Sequence, residues 1–271
     1  MSSMRITTFV ILIAFLFTAN SSQANPILAD STFRKLQKKA KKVFEPNDAV
    51  LIVPNYNAQF PFGDMQDRFG FNSTVGLHLA YKVKKNWWIG ADGGFLFGSK
   101  VRDNYVLDNI SNYYRQFINA NDGSLVNVKL QERGFYTKFV VSKTIPFSEK
   151  YPDAGLLLST GIGFLQHKIA IDVRENVLPQ LNKTYRKGYD RMCNGPVVSQ
   201  FIGGVFMERK KFISVYGGLQ VDAAFTYSRR AYDFYLKQPM NEKRIDLFIG
   251  IKIGWIIPVF LKASDKVEYY Y

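Results

Sequence analysis

From Ala49 onward the chain alternates apolar and polar or small residues with a period of two, the spacing at which successive β-strand side chains point to opposite faces. Val75, Leu77, Leu79, Tyr81 and Val83 alternate with Thr74, Gly76, His78, Ala80 and Lys82. After the turn Lys84-Lys85-Asn86, Trp87, Ile89, Ala91, Gly93, Phe95 and Phe97 alternate with Trp88, Gly90, Asp92, Gly94 and Leu96. Phe135, Thr137, Phe139 and Val141 oppose Gly134, Tyr136, Lys138 and Ser142, and Leu156, Leu158, Thr160, Ile162 and Phe164 oppose Ser159, Gly161, Gly163 and His167. The last two strands alternate most regularly. Ile213, Val215, Leu219, Val221 and Phe225 oppose Ser214, Tyr216, Gly218, Gln220 and Asp222; Ile245 to Trp255 carries an isoleucine-rich face opposite Asp246, Phe248, Gly250, Lys252 and Gly254. Two weaker segments complete the set. Ala49–Gln59 reads as a first strand in which Pro54 fits only an edge, an end or a bulge, and Val197–Met207 reads as a sixth with an ambiguous face.

An apolar face opposite a glycine-rich, polar or charged one is what a lipid-facing wall around a polar lumen requires. A soluble sandwich or lipocalin-like barrel would bury its apolar face and expose a charge-rich one. Connection lengths alternate too. The gaps at 84–86, 146–153 and 208–211 are short, and those at about 60–73, 102–129, 172–195 and 229–242 are long, the pattern of periplasmic turns and extracellular loops. The fold expected is therefore all-β: an eight-stranded antiparallel transmembrane β-barrel over 49–262, preceded by a short amphipathic helix. A barrel this narrow fills its interior with side chains and is not a porin.

Ahead of the barrel, Arg5, the apolar run Phe9–Phe17 and the small residues Ser22 and Ala24 read as a signal peptide over 1–24, with no cysteine after the cleavage point to carry a lipid anchor. Over 25–48 lies a basic segment. Phe33, Leu36, Ala40, Val43 and Phe44 recur at helical spacing, while Arg34, Lys35, Lys38, Lys39, Lys41 and Lys42 cover the other face, and Pro46-Asn47-Asp48 ends it. Such a helix suits either a solvated linker or a contact with anionic lipid or a periplasmic protein. A tail at 263–271 ends on Tyr269, Tyr270 and Tyr271, candidates for the same kind of contact.

Composition narrows the picture. Phe (23) and Tyr (16) supply aromatics for girdles at both bilayer interfaces, and the single cysteine, Cys193, rules out an intramolecular disulfide. The net charge of +14, in an exported chain lacking any nucleic-acid motif, points to outer-membrane lipid, lipopolysaccharide phosphates or acidic protein surfaces in the envelope. No cofactor or metal pattern is present. Asp92, Lys138, Asp222, Asp246 and Lys252 fall on inferred lumen faces and, because isolated buried charges are costly, are expected to pair with one another. His167, with Asp172, Glu175, Ser99 and Ser228 at neighbouring strand ends, is a weak candidate for catalysis of the kind small lipid-modifying barrels perform. Tyr189 and Arg191, in the basic and aromatic third loop, are expected to meet lipid or a partner.

The runs KGYDRMCNG (187–195), SQFIGG (199–204) and KRIDLFIGIKIGWIIP (243–258), with the YYY terminus, resemble small outer-membrane barrels of Bacteroidota, of the OmpA/OmpX-like eight-stranded type. The resemblance covers the C-terminal third specifically and the rest by pattern. It implies the outer membrane and a non-catalytic subunit of an envelope complex, of the secretion or barrel-assembly kind; a lipid-modifying enzyme and a narrow channel are the alternatives.

Overall fold

A computed structural model describes residues 49–83, 86–111, 117–120, 122–148, 151–173, 178–207 and 214–260. The expected signal segment 1–24, the expected basic helix 33–44 with Lys35, Lys38, Lys39, Lys41 and Lys42, and the tail with Tyr269, Tyr270 and Tyr271 lie outside these residues. Eight antiparallel wall strands close into a ring: β1 (Ala49–Gly63), β2 (Asn72–Val83), β3 (Trp87–Gly98), β6 (Lys129–Ser148), β7 (Tyr151–Asp172), β8 (Cys193–Phe206), β9 (Val215–Ser228) and β12 (Lys243–Trp255), the last continued by β13 (Ile257–Phe260). Each pairs with its sequence neighbour, and β1 closes the ring on β12 and β13. Two small hairpins, β4–β5 (Phe117–Asn119 with Leu125–Asn127) and β10–β11 (Tyr232–Asp233 with Gln238–Pro239), lie in the loops, and the one-turn helix α1 (Asp64–Arg68) follows β1.

Apolar side chains on the outward face of every wall strand, among them Val75, Leu79, Phe95, Phe139, Ile162, Leu219, Ile251 and Trp255, remain exposed. A closed wall with this exterior has no sheet edge and is stable only with lipid around it, so the chain spans a membrane, and barrels of this construction reside in outer membranes. No helix among the described residues is long and apolar enough to cross.

Several expected boundaries shift outward. The first outer connection is not a long loop over 60–73, because β1 runs on to Gly63 and α1 carries the chain to β2. The 146–153 gap shrinks, because β6 and β7 extend to Ser148 and from Tyr151, with a register shift at Pro146. β6 and β7 reach 20 and 22 residues. A tilted strand needs only about 9–11 to cross the bilayer, so this hairpin stands beyond it. Pro54 occupies neither an edge nor a bulge of β1 against β2, where the register runs unbroken from Ala49 to Gln59. It sits instead beside the break between β12 and β13, at Ile256, whose amide turns to the Ser214 carbonyl at 2.7 Å. A missing amide donor is tolerated there because the ladder is already interrupted. Asn86, the residue before β3, takes φ 61°, a left-handed conformation that asparagine tolerates.

The lumen is not uniformly polar. At the short-turn end Ala49, Leu51, Val53, Trp88, Leu157, Phe201, Val205, Met207, Tyr216 and Ile256 form one buried apolar cluster. The sixth strand, whose face was ambiguous, contributes Phe201 and Val205 to it. At the loop end a second cluster joins lumen residues such as Leu96, Leu165 and Phe248 to the loop residues Met65, Phe69, Val106, Leu107, Ile118, Leu178, Leu181 and Tyr189. Glycines make room for the aromatics inside. A Cβ at Gly94 would collide with the Tyr136 hydroxyl, and one at Gly254 with the Tyr216 ring.

Candidate functional site: a charged layer between two apolar plugs

Between the two clusters lies a polar layer. Alternation puts Asn55 and Asn57 (β1), His78 (β2), Asp92 (β3), Tyr136 and Lys138 (β6), Gln220 and Asp222 (β9) and Lys252 (β12) on the inner face, all buried. Two ion pairs cross the lumen rather than joining adjacent strands: Lys252 Nζ to Asp92 Oδ2 at 2.5 Å, and Lys138 Nζ to Asp222 Oδ1 at 3.0 Å. Asn55 Nδ2 donates to Asp92 Oδ1 at 3.2 Å, the Tyr136 hydroxyl donates to the same oxygen at 3.4 Å, and Gln220 Nε2 donates to Asp222 at 2.8 Å. Lys138 also stands over the Tyr136 ring, 4.6 Å from its centre. Each charge therefore has an opposite charge and further polar partners, the condition under which buried ions are tolerated. Two cavities of about 20 Å³ flank the layer. Each has room for about one water molecule. Lys82 and Asp153 form a third lumenal pair at the short-turn end.

Asp246 stands apart from this network. Expected to pair with the lumen lysines, it instead accepts from His167 Nε2 at 2.9 Å and from the Thr226 hydroxyl at 2.5 Å, because its rung lies further toward the loop end. Neither Asp246 nor His167 has any solvent exposure, and Phe69 covers the imidazole edge-on at 5.8 Å. The cluster anticipated around His167 does not assemble: its carboxylate partner is Asp246 and not Asp172, and Ser228 pairs across the ladder with Cys193. Glu175 lies outside the described residues. Cys193 is buried and receives a hydrogen bond from Arg68 Nη1 at 3.2 Å.

Tyr189 and Arg191 correct a second expectation. Both are 5% exposed and cannot form a contact surface. Arg191 grips Asp103 of the second loop through Nη1 and Asp233 of the fourth through Nε, the latter at 2.8 Å. Burial disfavours its charge, but the two carboxylates prevail and hold its pKa above the usual guanidinium range. Tyr189 packs edge-on against Phe234 at 5.4 Å and accepts a hydrogen bond from Asn109 of the second loop. Asp190 binds Arg230 through two nitrogens at 2.5 and 2.7 Å, and Arg68 of α1 reaches Glu242 at 2.9 Å and the Arg191 carbonyl at 3.3 Å. The four outer connections are thus fastened into one cap over the barrel mouth. Periodicity could flag Asn55, His78 and Gln220 as lumenal. Nothing in the spacing of Asp103 and Asp233 marked them as partners of Arg191.

No protein-family profile matches the chain, and no curated protein matches it in sequence. Among solved structures it is similar to Ail, the attachment invasion locus protein of Yersinia pestis, in a complex with the heparin analogue sucrose octasulfate, at 8% identity and TM-score 0.37 over 78% of this chain and 99% of that one. It is also similar to Neisserial surface protein A, at 5% identity and TM-score 0.39 over 76% and 96%. A third similar structure is the outer membrane protein OprG of Pseudomonas aeruginosa, at 8% identity and TM-score 0.33 over 79% and 97%.

Proposed function

We propose that this barrel is a non-enzymatic, non-conducting accessory subunit of an outer-membrane protein complex. The observation that carries the reading is the double plug: an internally paired charge layer held between two apolar clusters, with cavities of only about 20 Å³ beside it. Such a lumen offers ions no continuous polar path, and the His167–Asp246 pair, fully buried, cannot meet a substrate. Wild-type protein in a planar bilayer is expected to give no discrete conductance steps; steady unitary currents would overturn this part.

Attachment to a partner is supported at the periplasmic end. The β6–β7 hairpin extends past the β2–β3 turn and presents Ile145, Phe147 and Tyr151, with Phe147 78% exposed. The basic segment 33–44 and the tyrosine tail carry charge and aromatic rings suited to a partner contact, and the Bacteroidota-like runs at 187–195, 199–204 and 243–258 favour an envelope machine of the secretion or barrel-assembly kind. Gentle detergent extraction from native membranes is expected to co-isolate partners in fixed stoichiometry, and deleting 33–44 or replacing Phe147 by Ser is expected to release them. Recovery of the wild-type chain as a lone barrel would sink the reading.

A further inference from the structure

With Tyr189 and Arg191 buried, two cations on the barrel wall offer an alternative contact for lipid. Arg133 of β6 and Lys168 of β7 are direct cross-strand partners on the outward face. Like charges in that arrangement repel. No carboxylate contacts either cation among the described residues. Arg133 donates to Gln131 Oε1 at 2.5 Å and to the Glu132 carbonyl at 3.4 Å, and the nearest acid on this face, Asp172, lies opposite Lys129. The pair therefore favours an external anion.

Its height indicates which anion. Phe135, two residues inward of Arg133, packs with Phe164 at 6.1 Å, while Phe97 pairs directly with Arg133 and Phe95 is 72% exposed. This is an aromatic girdle, which marks the bilayer interface. Arg133 stands level with Phe97 and one strand repeat, about 7 Å, beyond Phe135, at the layer of lipid phosphates at the edge of the hydrocarbon. On the side toward the loops, β3 ends at Gly98 while β6 continues, and the gap between them opens into a cleft of about 570 Å³. Ser99, Asn104, Asn127 and Gln131 supply polar groups to this cleft over a floor that includes Val101 and Ile118. Gln131 belongs both to the cleft and to the Arg133 hydrogen bond, so a saccharide in the one and a phosphate on the other would be contiguous.

We infer that Arg133, Lys168 and the adjoining cleft bind the phosphorylated saccharide headgroup of an outer-leaflet glycolipid, with its acyl chains against Phe95 and Phe135. The phosphate bridges the two cations, the sugar hydroxyls meet the amides and the serine, and the apolar floor receives a pyranose face. The inference rests on the outward direction of the long loops and is independent of any protein partner, so either proposal can fail alone.

The test uses the full chain in detergent micelles, titrated with diphosphoryl lipid A, with the same lipid stripped of both phosphates, and with phosphatidylglycerol, reading retained lipid by native mass spectrometry. Wild-type protein should retain one diphosphoryl lipid A and hold the other two lipids at least about tenfold more weakly, the factor one charge-assisted hydrogen bond supplies. Arg133→Gln with Lys168→Gln should abolish that preference, and Arg133→Lys with Lys168→Arg should keep it. Asn127→Trp, filling the cleft, should weaken lipid A binding and leave phosphatidylglycerol unchanged. Equal retention of the three lipids by wild-type protein, a comparison that needs no variant to fold, would overturn the proposal, as would unchanged lipid A binding by a folded double-Gln variant.

Discussion

Arg191→Ala is expected to unfasten the extracellular cap while the barrel wall stays closed, at a cost to the cap of about 3–5 kcal/mol, the penalty for removing one side of a buried ion pair. Asp103 and Asp233, 2% and 1% exposed, would be left buried without their cation. Asp233 also accepts the Tyr235 and Leu236 amides at 2.8 and 2.9 Å, so loosening it frees the β10–β11 hairpin. Arg191 itself holds φ 43°, a left-handed conformation that costs a non-glycine residue about 1–2 kcal/mol and that its two ion pairs offset. Arg191→Lys should rescue little, because an ammonium cannot present the planar fork that reaches both carboxylates. The measurement is cleavage of the outer loops by added protease alongside the heat-sensitive gel mobility of the folded barrel. Loops as resistant as in the wild type would show that the apolar cluster alone holds the cap.

The second large effect is expected inside the wall. Asp92→Ala removes the acceptor of Lys252, Asn55 and Tyr136 at once and leaves Lys252 buried without a counter-charge. About 3–5 kcal/mol of barrel stability should be lost in denaturant unfolding from lipid vesicles. Adding Lys252→Met to Asp92→Leu should recover most of it, since a well-packed apolar pair can replace a buried ion pair at little or no cost. If Asp92→Ala unfolds at the wild-type denaturant concentration, the charge layer is not structural, and the lumen must admit enough water to solvate Lys252.

These two expectations differ in how far the chain itself announces them. The parity of Asp92, Lys138, Asp222 and Lys252 within their strands places them inside, because alternation is a local property of extended backbone that survives any tertiary arrangement. The same parity places Leu157 inside, yet an apolar residue on an otherwise polar face reads as an exception until Phe201 and Val205, from the strand whose face alternation left open, are found beside it. The Arg191 clamp joins loops separated by 88 and 42 residues, and no period links such positions. A basic, aromatic loop therefore looked like a contact surface, although Tyr189 is packed and the charge of Arg191 is spent within the cap. Asp246 belongs between these cases: its face was legible, and its partner was not, since choosing His167 over a lysine depends on the stagger of rungs around the ring.

What the amino-acid order determined alone is the wall: eight strands, the inward and outward faces of all but the sixth, and the lipid-facing exterior, all consequences of period-two patterning and turn-forming residues. Only the tertiary structure decided that the lumen is closed by two apolar plugs, which cations are spent inside and which remain on the outer face, and that the loops form one fastened cap. Burial and charge pairing depend on distances between strands remote in sequence, and those distances are set by ring closure and stagger, which no local segment encodes.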